Sequence, residues 1–230
     1  MSSLLEGHTV RRFDGELNQI HLRVLELGGL ALDQCRVALG ALKANDLDTA
    51  RHVLAREEEV DDLQIALDAQ ILSLIGRRSP VARDLRAVLA LAKTVTELER
   101  IGDAAAKVAH FIVDTHEGRT RPLAPVMAHD VQSMAQVSLA MVEDALAALD
   151  SLDRHEADRV RERHRELDQV FRGCVRRMTS FVLETPPLVG SAVNAVLLTK
   201  AIERVGDHAR NVADHVHKFV SAEEPASHAG

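Results

Sequence analysis

An all-α fold of two tandem, pseudo-symmetric three-helix bundles, six long helices in all, follows from three features of the sequence. Apolar residues recur three or four apart over stretches too long for strands. The 230-residue chain has no Trp or Tyr and only five Phe, so its apolar content is Leu, Val, Ala, Ile and Met, which suits helix-on-helix packing better than aromatic-rich sandwiches. One heptapeptide also occurs twice, ELERIGD from Glu97 to Asp103 and AIERVGD from Ala201 to Asp207.

The first helix is expected from about Thr9 to Lys43, where Phe13, Leu17, Ile20, Val24, Leu27 and Leu30 mark one amphipathic face. Gly28 and Gly29 interrupt it, as a bend or, more favoured, a close crossing with a neighbour. After the polar turn KANDLDTA, Asp46 or Asp48 caps a second helix running to about Arg77. Ser79-Pro80 ends it, because the residue before proline disfavours helical dihedrals and proline suits the first turn of a third helix, which runs to about Asp114. THEGRTRPLAP, from Thr115 to Pro125, collects Gly, two Pro and polar residues and reads as the linker. Three more helices are expected at about 124–149, 154–183 and 188–220, separated by a turn at 150–153 and a break at Thr185-Pro186-Pro187. The organisation is therefore a first repeat over 1–116, a linker over 117–123, a second repeat over 124–221 and a frayed tail over 222–230.

The repeat can be checked residue by residue. Sliding the chain by 104 superposes Glu99, Arg100, Gly102 and Asp103 on Glu203, Arg204, Gly206 and Asp207, and sliding by 107 superposes Val60 and Asp61 on Leu167 and Asp168. A period of this length means two copies of a three-helix hairpin and not a solenoid.

Within the heptapeptide a Glu and an Asp stand four apart, which stacks like charges on one helix face at roughly 0.2 to 0.5 kcal/mol, and the interior Gly costs about 1 kcal/mol relative to Ala. The second helix of each half offers a matching pair, Glu57 with Asp61 and His164 with Asp168. Oxygen donors with one imidazole suit hard or borderline ions, so the candidate metal ligands are Glu57, Asp61, Glu99, Asp103, His164, Asp168, Glu203 and Asp207. The other reading is that local cations satisfy the acids and the Gly lets two helices meet. Asp103 with Lys107 is an obvious ion pair, yet Asn211 stands at the matching place. Arg100 and Arg204 point roughly 100° from the preceding Glu and are poorly aimed to neutralise it. Both readings stand on spacing alone. His208, His215 and His217 on the last helix read as surface residues.

The net charge of -7 argues against a nucleic-acid binder, and the arginines of RVRERHR around Arg161 read as a solvated helix face. Cys35 and Cys174, far apart and outside any CxxC spacing, read as buried reduced thiols. With no signal segment and no apolar run of about 18 residues, a cytoplasmic protein without membrane insertion is expected. A Gly-rich phosphate loop, GxSxG and HExxH are all absent, so no catalytic or cofactor-binding residue is assigned and an enzyme is not expected. A ferritin-like carboxylate-bridged metal enzyme needs Glu-x-x-His, which the chain lacks.

ELERIGD and IERVGDHARNVAD, one per half, together with FDGEL near the start and RRSPVARDLR before the third helix, resemble the PhoU family of phosphate-signalling regulators. The resemblance covers nearly the whole chain. It implies two three-helix bundles, a homodimer, and negative regulation of phosphate uptake and of the phosphate-starvation response. Its implied partners are the ATPase subunit of the ABC phosphate transporter and a membrane sensor histidine kinase. It also implies metal, of the Fe, Zn, Mn or Mg kind, at the eight positions above. His164 departs from the family pattern, which has an acid there, so the second site is expected to be weaker or to prefer a softer ion such as Zn. A purely structural helical adaptor is the other non-enzymatic reading.

Overall fold

The computed structural model describes residues 11–221, which form seven α-helices and one 3-10 turn. The expected start near Thr9 and the frayed tail lie outside the described residues. In the first half α1 (Arg11–Ala44), α2 (Leu47–Ala55), α3 (Glu57–Arg78) and α4 (Ala82–His116) form a three-armed hairpin, with α2 and α3 sharing one arm. The second half repeats it with α5 (Pro125–Ser151), α6 (Arg154–Glu184), a 3-10 turn at Pro186–Leu188, and α7 (Val189–Ser221). Two turns follow the expected capping chemistry, but Pro80 does not open the third helix, which begins at Ala82 with Val81 as its cap. Asp46 caps α2 by accepting from the backbone N–H of Asp48 and Thr49, and Asp153 caps α6 by accepting from that of His155.

The expected single second helix is broken at Arg56. The carbonyl of Arg56 accepts from the Gln34 side-chain amide at 2.8 Å, and its guanidinium pairs with Asp33 at 2.8 Å and Glu59 at 3.1 Å. The break is thus pinned to α1. It leaves Glu57, Glu58 and Glu59 in the first turn of α3, where the helix dipole favours negative charge.

The halves join side by side. α4 packs along α7 and α1 along α5, and one continuous buried core runs through both. Gly28 lies against α5, where a Cβ would meet Leu146 Cδ2 at 2.3 Å, while Gly29 faces open space, so the glycine pair marks a crossing. Both cysteines are buried and free, and burial pushes the Cys35 thiol up to about 12. The connecting segment is tied down: Ser191 accepts from the Ala124 N–H at 2.7 Å, and Asn194 donates to the Arg121 carbonyl at 2.8 Å. No described helix is long and apolar enough to cross a membrane.

Candidate functional site

The two heptapeptides lie on α4 and α7, each against the second arm of its own half. Their glycines set the spacing. A Cβ at Gly102 would stand 3.3 Å from Val60 of α3, and one at Gly206 would stand 2.2 Å from Leu167 of α6. Val60 and Leu167 are the residues the repeat superposes, so the two glycines perform one packing task twice. Close approach accounts for the Gly of the motif. It does not account for the acids.

In the first half, Glu99 is mostly buried beside Asp103, with Asp61 of α3 facing it. Burial first, then the Asp103 and Asp61 charges, hold its carboxyl above the usual carboxylate range against the opposing pull of Arg100. Arg100 reaches Glu99 and Asp103 at 3.3 Å each, which corrects the expectation that it points away from the acids. It is half exposed, and an exposed pair contributes only about 0 to 1 kcal/mol, so Arg100 relieves the crowding only in part. Asp103 pairs with Arg100 and not with Lys107, the partner its spacing suggests. Glu57 stands one turn before Asp61, at the start of α3.

The second half is arranged differently. His164 is buried in mid-helix, its Nε2 2.8 Å from Asp207 Oδ1 and its Nδ1 3.9 Å from Asp168. Glu203 is buried and paired with Lys200, whose ammonium also stands 5.4 Å from the Phe171 ring centroid. The acids of the second half are thus contacted by an imidazole and an ammonium, whereas those of the first are contacted by Arg100. Among the described residues no three His, Cys, Asp or Glu side chains converge closely enough, as they stand, to hold a metal ion. By donor type, the all-oxygen set of Glu99, Asp103 and Asp61 suits a hard cation, whereas the second set includes an imidazole and an acid already paired with Lys200.

One cluster escaped the sequence reading. Glu97, the first residue of the first heptapeptide, accepts from Asn211 at 3.0 Å and lies 2.7 Å from His208 Nδ1 and 4.0 Å from His215, all on α7. Burial pushes its carboxyl up, but the hydrogen bonds from His208 and Asn211 and the nearby imidazoles outweigh it and leave it lowered. The expected surface histidines are therefore half-buried: His208 and His215 face Glu97, and His217 stands 3.2 Å from Asp158. The signal was present in the repeat. Glu97 superposes on Ala201 and His208 on Ala104, so the copies differ where the halves face each other. The RVRERHR face is mixed, with Arg161 paired to Asp158 and Asp214 and Arg163 to Asp144, while His164 points inward.

The PhoU domain matches this chain twice, over residues 24–112 and 131–216. A phosphate-specific transport system accessory protein PhoU from Edwardsiella tarda is 32% identical over 220 residues, covering 96% of this chain and 89% of the relative. The protein of that name from Escherichia coli K12 is 30% identical over 225 residues, covering 97% and 92%. Among solved structures, the crystal structure of PhoU from Pseudomonas aeruginosa superposes with a TM-score of 0.83 at 30% identity, covering 91% of this chain and 99% of that one. A phosphate transport system regulatory protein PhoU from Streptococcus pneumoniae has a TM-score of 0.81 at 23% identity, covering 92% and 98%, and shares the fold.

Proposed function

This chain belongs to the PhoU family, and on that premise we propose that it is a non-enzymatic, cytoplasmic regulator of phosphate transport that keeps the phosphate-starvation response off when phosphate is plentiful. It acts by contact, coupling the ATPase subunit of the phosphate transporter to a sensor histidine kinase, and it works as a homodimer. The observation that carries this reading is the match of both halves, nearly end to end, to proteins named as accessories of phosphate-specific transport. A strain lacking the chain should express a phosphate-starvation reporter at high phosphate, and returning the gene should silence it. Normal repression in the deletion strain would sink the proposal.

Metal binding at the paired acids is the second part of the reading, supported by the crowded carboxylates of the first half. Glu99, Asp103 and Asp61, with Glu57 on the same helix face as Asp61, would hold a Mg, Mn or Fe ion, whose charge would relieve their repulsion. In the second half Glu203, Asp207, Asp168 and His164 would have to exchange the contacts they already make, and the imidazole suits a softer ion such as Zn. Calorimetric titration should resolve two unequal sites; equal affinities would remove the asymmetry. Changing Glu99, Asp103, Glu203 and Asp207 together to Ala should relieve repression, whereas unchanged repression by a folded variant would favour the structural adaptor.

A further inference from the structure

α1 and α5 lie side by side, and the repeat relates one end of that pair to the other. At one end the His21 ring fills the junction and meets the Leu149 carbonyl at 3.0 Å. The repeat offset of 107 puts Ala128 in the place of His21 and Leu42 in that of Leu149, so at the other end a methyl group stands where the bridging imidazole would be. A cleft of about 580 Å³ opens there between α1, α5 and the end of α4, whose backbone does not approach α5, with Leu123 of the connecting segment in its wall. That is the size of a small-molecule site.

Phe111 and Leu123 give the cleft apolar surface, and Lys43, His129, Gln132 and Gln136 give it polar groups. Among the described residues no hydrogen bond or ion pair engages any of these four polar side chains. No Asp or Glu lines the cleft, and the acids next to it in sequence are already engaged: Asp46 caps α2, Asp114 pairs with Arg119 and Asp130 with Arg177. Lys43 and His129 each follow the Leu42 and Ala128 positions by one residue, which puts both at one end of the cleft. Gln132 and Gln136 come one and two turns farther along α5.

We propose that the cleft binds a nucleoside monophosphate, with its phosphate held by Lys43 and His129, its base against the Phe111 ring and the base edge met by Gln132 and Gln136. Two basic groups without an acid between them suit one phosphate, and an aromatic face beside amides that both donate and accept suits a base. No residue of either acidic set takes part, so the site is independent of metal and of the regulatory role proposed above.

Calorimetric titration of the whole chain with AMP should show one site per chain. Adenosine and inorganic phosphate should each bind about tenfold more weakly or worse, because each loses the charged or the ring contacts. Lys43→Glu and His129→Glu, both at exposed positions, should weaken AMP by about tenfold or more, whereas Arg165→Glu, an exposed change on α6 outside the cleft, should leave it unchanged. Ala128→Phe should abolish binding by refilling the space that His21 fills at the other end. Circular dichroism identifies which variants are folded, and if Ala128→Phe is not, the two exposed variants decide. A chain that takes up no AMP would overturn the proposal. Inorganic phosphate or adenosine binding as tightly as AMP would remove the nucleotide, an equal loss in Arg165→Glu would reduce the effect to net charge, and AMP binding undisturbed by the cleft variants would remove this cleft.

Discussion

Gly206 shows how much one missing methyl controls. Its added Cβ would lie 2.2 Å from Leu167 Cδ2 and 3.3 Å from Met141 Sδ, and both side chains are fully buried with little room to move. Gly206→Ala gains about 1 kcal/mol of helix propensity but overpacks a core site at about 1 to 3 kcal/mol, so a net loss of about 1 kcal/mol is expected in denaturant unfolding. Gly29 meets nothing within 4 Å, and Gly29→Ala should stabilise by up to about 1 kcal/mol in the same assay. The acid of the motif behaves differently. Because the Glu99 carboxyl is raised in the folded state, its contribution is favourable at low pH and is lost as pH rises above its ordinary value through the raised one. At neutral pH Glu99→Gln should therefore leave stability unchanged or raise it by about 0.5 kcal/mol, while reducing any thermal protection by added Mn or Mg. A clear loss of stability in ion-free protein would show that the Glu99 charge is already satisfied.

At the scale of elements, the corners between helices decide where each arm stops. Ser79 closes α3 in the left-handed region at φ 45°, a conformation that costs a non-glycine residue about 1 to 2 kcal/mol. Ser79→Gly should raise the midpoint of urea unfolding by an amount equivalent to about 1 kcal/mol without changing its slope. The break at Arg56 belongs to the same scale. Periodicity runs through it undisturbed, and Gln34 and Asp33 of α1 hold Arg56 at the break. Its counterpart α6 is unbroken from Arg154 to Glu184, so the expected symmetry of the two arms fails there.

At the scale of the molecule, histidines line the junction between halves. His21 of α1 lies 3.0 Å from the Leu149 carbonyl of α5, and His215 of α7 faces Glu97 of α4. Burial lowers both imidazoles, against the opposing pull of the Leu149 carbonyl on one and of Glu97 on the other. Groups with a depressed folded pKa contribute stability that is present above the ordinary value and lost as pH falls through the folded one. Glu97, also lowered, adds its own loss at lower pH. Melting temperature should thus hold near pH 7.5, fall from about pH 6.5 downward, and fall again below the ordinary glutamate range. Replacing His21 with Gln should flatten the first fall, and an identical pH profile in the variant would remove His21 from the account.

The helices, their caps, the duplication and the family were legible in one dimension, because periodicity, capping residues and repeated motifs are local and each is written in consecutive residues. Asp46, Asp153 and the paired heptapeptides are of this kind. The packing of α4 on α7, the burial of His208 and His215 around Glu97, and the contact of His164 with Asp207 depend on residues brought together from separate helices. Spacing along one helix places a side chain on a face. Only the neighbouring helix decides whether that face meets water, a cation or another acid, and so whether its charge is free or already satisfied.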